Sequence, residues 1–107
     1  MNNFDDRRRG EETKFAMDAE TAFRVAARRN RLLGQWAADK MGLTPEEAEA
    51  YGKAVVQADF EEAGDEDVIR KVLGDLTGAG VDIDEAGVRA VLEEKNVEAR
   101  RQLMGEA

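Results

Sequence analysis

Thr44-Pro45-Glu46-Glu47-Ala48 is the stretch that decides the fold. Threonine accepts a hydrogen bond well at a helix N-cap, and proline suits the first helical position, where its missing N–H is not needed. A glutamate three residues past the cap can reach back to the cap's own N–H, so the four residues form a capping box. A helix starts here. Ala48, Tyr51, Ala54, Val55 and Ala58 then recur at helical spacing, Val56 and Phe60 widen the apolar face, and Gly64 stops the run. Together they predict a helix over about 45–63.

Upstream, Ala19, Ala22, Ala26, Leu33 and Ala37 recur at the same spacing, flanked by Phe23, Trp36 and Met41, with Phe15 in register and Gly42 as the stop. This is a long first helix over about 18–41. Downstream, Asp65 is placed to cap a third helix over 66–79, in which Val68, Ile69, Val72, Leu73 and Leu76 form an apolar stripe before Gly78-Ala79-Gly80. A last helix over 84–105 turns Val88, Val91, Leu92, Ala99 and Leu103 inward. Pro45 is the chain's one proline, and no alternating β-branched run has strand length. The short connections favour antiparallel neighbours, so the fold class is all-α, an antiparallel four-helix bundle over 18–107.

Residues 1–17 read differently. Phe4 and Phe15 are set among Asp5, Asp6, Arg7, Arg8, Arg9, Glu11, Glu12 and Lys14, with Gly10 between them. So little apolar surface cannot offset the entropy of ordering the segment, which is expected to be mobile in the free protein.

With 107 residues there is room for one modest core. The net charge of -8 is unevenly spread: residues 1–41 carry nine Lys or Arg against seven Asp or Glu, and residues 42–107 carry seven against seventeen. The acidic body repels phosphate backbones and anionic lipid, so neither nucleic acid nor a membrane surface is an expected partner. No apolar run reaches the roughly 18 residues of a membrane span, and the N-terminus has neither a signal-peptide nor a transit-peptide pattern, so a cytoplasmic protein is expected. It is also expected to be a monomer when free.

The chain has no histidine, cysteine or serine. The commonest general base and the two commonest nucleophiles are therefore missing, and an enzyme is not expected. Asp82, Asp84, Gly87 and Glu93 imitate a calcium loop, but Ala86 cannot coordinate and Arg89 stands where an apolar residue belongs; Asp82 or Asp84 as the cap of the last helix is the better reading. Gly74, Gly78 and Gly80 lack the Gly-Lys-Thr/Ser of a phosphate loop. The acids at 59, 61, 62 and 65–67 suit a solvated helix start. No metal site and no cofactor are expected.

Arg28-Arg29-Asn30-Arg31 is the densest basic cluster, and Arg24, Arg28 and Arg31 share one arc of the first helix. Arginine forks fit phosphate or acidic partner residues. The competing reading is a solvated face paired with acids such as Glu20 or Asp39. Both stay open.

At this point the chain resembles the zeta-type inhibitor proteins of alphaproteobacterial F-type ATP synthases. The likeness rests on Phe4-Asp5-Asp6-Arg7, Lys14-Phe15-Ala16, Ala27-Arg28-Arg29-Asn30, Leu32-Leu33-Gly34, Trp36-Ala37-Ala38 and Met41-Gly42, and continues through Ala50-Tyr51, Asp59-Phe60-Glu61-Glu62-Ala63-Gly64, Asp67-Val68 and Lys71. The resemblance implies a four-helix bundle whose N-terminal segment becomes helical inside the catalytic interface of the synthase head and blocks ATP hydrolysis there. The matching inhibitory positions are Phe4, Asp5, Asp6, Arg7, Lys14, Phe15 and Ala16, with Arg28, Arg29 and Asn30 as an accessory contact. Arg8, Arg9 and Gly10 depart from the family's pattern, in which this stretch is less basic and continuously helical. The alternative function is a nucleotide- or anion-binding helical module built on Arg24, Arg28 and Arg31. Some relatives look able to bind nucleotide on the bundle, although no sequence site for it stands out here.

Overall fold

A computed structural model describes residues 18–59 and 65–105 of the chain. The expectations placed on residues 1–17, on 60–64 and on 106–107 lie outside the described residues.

Helix α1, Ala19–Met41, opens at Asp18, whose Oδ1 accepts from the Thr21 N–H at 2.7 Å. It closes at Gly42, where a left-handed φ of 74° lets the chain turn back. The Gly42 N–H then bonds to the Asp39 carbonyl and the Leu43 N–H to the Ala38 carbonyl. Helix α2, Pro45–Ala58, starts with both halves of the capping box in place: the Thr44 N–H reaches Glu47 Oε1 at 2.8 Å, and the Glu47 N–H reaches Thr44 Oγ1 at 3.2 Å. Helix α3, Glu66–Gly78, ends through Gly80 at φ 85°, and the Val81 N–H bonds to the Leu76 carbonyl. Helix α4, Glu85–Met104, is capped by Asp84, whose Oδ1 accepts from the Gly87 N–H at 2.9 Å. Asp84 is thus spent on a cap, as read from the sequence, and among the described residues no group of three acids, histidines or cysteines could hold a metal ion.

All four elements are helices, and the described residues contain no strand. α1 is the central element. It packs most extensively on α2, then on α4, and touches α3 less. Leu33 and Ala37 from α1, Val55 from α2, Val68, Ile69, Val72 and Leu76 from α3, and Val88 and Leu92 from α4 form one core, with Trp36, Met41, Tyr51 and Leu73 packed around it. Each fully buried Leu or Val contributes about 1.5–3 kcal/mol relative to leaving it in water. α1 and α2 cross closely: a Cβ built on Gly34 would lie 2.8 Å from the Gly52 Cα. Two hydrogen side chains let these backbones meet.

Four details differ from the periodicity reading. Ala19, Ala22 and Phe23 are exposed, and the buried positions of α1 begin at Val25 and continue through Arg29, Asn30 and Leu33. Alanine marks a core poorly because exposing its one methyl is cheap. The first turns of α1 also run past the end of α2, and with it past the surface that could cover them. Leu103 is exposed as well, at the end of α4 that meets these turns. Helix α2 ends at Ala58, with Asp59 in a turn, so the expected extension to 63 does not continue through Asp59. Asp65 stands at the N-cap position of α3 without making a side-chain cap bond, because its carboxylate is used elsewhere.

Candidate functional site

Phe4, Asp5, Asp6, Arg7, Lys14, Phe15 and Ala16 fall outside the described residues. The described part of the site begins at the Asp18 cap and follows the basic residues of α1. The Thr21 N–H, bonded to the Asp18 carboxylate, holds that carboxyl below the usual range. The helix therefore starts with a fixed negative charge over its positive end.

The basic cluster divides in two. Arg24, Arg28 and Arg31 stay on the surface. Arg24 Nη2 pairs with Glu20 Oε2 at 2.8 Å, and Arg28 Nη1 donates to Gln102 Oε1 of α4 at 2.8 Å. Glu20 thus pairs with Arg24, one turn before the Arg28–Arg31 cluster. Arg29 and Asn30 point the other way, into the protein. Arg29 Nε donates to Asn30 Oδ1 at 2.9 Å, while its Nη2 lies 3.1 Å from Asp65 Oδ1 and 3.7 Å from Asp59 Oδ2. One guanidinium therefore bridges the last turn of α2 and the start of α3, the two ends of the 60–64 connection. The Nη2–Asp65 contact is close without hydrogen-bond alignment, and the buried Asn30 Nδ2 has no hydrogen-bond partner among the described residues.

The consequence for chemistry is direct. A planar guanidinium enclosed by two carboxylates is already neutralised and has little left to offer an outside anion. Arg24, Arg28 and Arg31 remain available to a partner.

The sequence reading missed two arrangements. It took Asp59 and Asp65 as solvated, although together they hold Arg29. A buried arginine demands acids from elements distant in sequence, and no local spacing encodes that. Between α2 and α3, the Tyr51 hydroxyl donates to Asp75 Oδ2 at 2.7 Å, Lys71 Nζ lies 3.2 Å from the same oxygen, and the ammonium sits 5.1 Å from the Tyr51 ring centroid. Burial, and then the bond to Asp75, push the phenol well above its ordinary value. The only sequence signal was Lys71 and Asp75 at i, i+4 spacing.

The described residues form a four-helix body with a basic strip along the surface of α1. The sequence places it more closely. The family model for the ATPase inhibitor subunit zeta matches residues 1–102, and the chain belongs to that family. Its members are inhibitor subunits, not catalytic enzymes. Among solved structures, a solution NMR structure is 53% identical in sequence and superposes with a TM-score of 0.69, covering 79% of this chain and 96% of that one. No curated relative matches the chain. No helix among the described residues is long and apolar enough to cross a membrane.

Proposed function

We propose that the chain inhibits ATP hydrolysis by an F-type ATP synthase by inserting residues 1–17 into the catalytic interface of the synthase head. Phe4, Asp5, Asp6, Arg7, Lys14, Phe15 and Ala16 make the contacts, and the bundle stays outside. The observation that supports this reading is that the family match begins at residue 1, so the segment ahead of α1 is included in the likeness to the inhibitor subunits. The physical argument agrees. Rotary hydrolysis requires the interface to open and close in each cycle, and a helix anchored there by two phenylalanine rings holds it in one state. The rings supply buried area and the alternating charges fix register, while the ordering of the segment is offset only inside the partner.

Arg24, Arg28 and Arg31 stay outside as accessory contacts; Arg29 and Asn30 act indirectly, by fixing the bundle that carries them. The protein would sit in the cytoplasm against the head and act as a monomer. Deleting residues 1–17 tests the reading. The far-UV helical signal of the bundle is expected to persist while inhibition of ATP turnover disappears. Inhibition by the shortened chain would move the inhibitory contacts elsewhere.

A further inference from the structure

Basic and apolar side chains meet where the first turns of α1 pass the last turn of α4. An open groove of about 260 Å³ is lined there by Phe23, Arg24, Ala27, Arg28, Arg31 and Leu103. Phe23 is 52% exposed, Leu103 37% and the adjoining Met104 40%. None of the described residues lining the groove is a carboxylate, in a chain whose residues 42–107 carry seventeen acids against seven bases. Exposed aromatic and aliphatic side chains ringed by arginine make the composition of an interface core with a charged rim.

The bonds that now hold the arginines are weak competitors. The Arg24–Glu20 pair is 66% and 73% exposed at its two ends, so water screens it heavily. Arg28 meets only the neutral amide of Gln102, in an exposed bond. A carboxylate offered by a partner would make a stronger, charge-assisted bond with either. Position matters too: Phe23 lies about 6 Å along the helix axis from Ala19, the first helical residue. Whatever residues 1–17 enter, its rim is within reach of this groove.

We infer that the groove is a second docking surface, fitted to an acidic protein face that carries an apolar side chain, on the synthase head beside the interface residues 1–17 enter. This rests on the inhibitory reading above. Two linked contacts, one made by the N-terminal segment and one by this groove, bind more tightly than either alone because the first confines the second. An anionic membrane is the poorer match, since the acidic body would be repelled by it.

Full-length protein and two full-length variants, Phe23→Ala and Arg28→Glu/Arg31→Glu, test the inference. Both variants change exposed side chains, and an unaltered thermal midpoint confirms that each is folded. Binding to the purified synthase head and inhibition of its ATP turnover are measured separately. Each variant is expected to bind about tenfold more weakly, the first through faster dissociation and the second through slower association, with inhibition still complete at saturation. Unchanged binding by both variants overturns the inference. So does a charge-reversal effect confined to phosphatidylglycerol vesicles, with binding to the head intact. Wild-type protein that binds without inhibiting defeats the inhibitory reading, yet a tenfold loss in the variants would still uphold the groove. Failure of the wild type to bind the head defeats both.

Discussion

At Gly34 the space for a side chain is already occupied by backbone. A Cβ there would meet the Gly52 Cα at 2.8 Å and Val55 Cγ2 at 3.3 Å, and a main-chain atom cannot swing aside as a side-chain tip can. Alanine is the better helix former by about 1 kcal/mol, but forcing α1 and α2 apart costs about 1–3 kcal/mol and loosens the core packing beside the crossing. Gly34→Ala is therefore expected to lower stability by about 2 kcal/mol in urea unfolding. Gly74→Ala, with nothing within 4 Å of its built Cβ, should raise it by about 0.5–1 kcal/mol. Equal effects at the two glycines would remove the close crossing from the account. Tyr51 supplies a pH test. Its phenol is raised in the folded state by burial and by Asp75, so its contribution is whole below pH 10, the ordinary phenol value, and declines as pH rises beyond it. The bundle should lose stability above that pH, and Tyr51→Phe should flatten the decline in thermal midpoints recorded through the alkaline range.

Among the elements, α2 was the most legible and α1 the least. The capping box, Pro45 and the spacing from Ala48 to Ala58 are local facts, and the structure keeps each of them. Thr44→Ala removes the acceptor for the Glu47 N–H, and is expected to lower stability by about 1 kcal/mol with little change in the folded helical signal. The stripe of α3 was equally plain because Val68, Ile69, Val72 and Leu76 are large and have no competing face. For α1, alanines stand at buried positions (Ala37, Ala38) and at exposed ones (Ala19, Ala22) alike, so periodicity could not separate the packed stretch from the first turns, which run past the end of α2. Of the Arg28–Arg31 cluster, the spacing places Arg28 and Arg31 on one arc with Arg24, and the packed bundle adds the inward turn of Arg29. Its partners Asp59 and Asp65 lie some 30 residues away, on other elements. Arg29→Ala leaves Asn30 Oδ1 without its donor and frees both ends of the 60–64 connection. A loss of about 2–3 kcal/mol is expected, together with faster amide hydrogen exchange in the last turn of α2 and the first of α3.

On the scale of the whole molecule, charge acts in opposite directions on stability and on binding. A net charge of -8 on a single small domain, with the acids concentrated after residue 42, means that the body repels itself. Raising the ionic strength from about 0.01 M to about 0.15 M shortens the screening length from about 30 Å to about 8 Å, shorter than the α4 helix is long. The repulsion then fades while the core of Leu33, Val55, Val72, Leu76 and Val88 is untouched, so the urea midpoint should rise. Inhibition is expected to move the other way. Arg7, Arg8, Arg9 and Lys14 in the N-terminal segment and Arg24, Arg28 and Arg31 on α1 precede the acidic body, so the basic end is drawn toward an acidic target while the rest is held off it. Such orientation speeds association and is lost when the charges are screened. Added salt should therefore weaken inhibition through the association rate even as it stabilises the inhibitor. A protein stabilised by salt whose association rate with the head stays flat over the same range would mean that residues 1–17 reach their target by shape alone, with the basic end playing no part in steering.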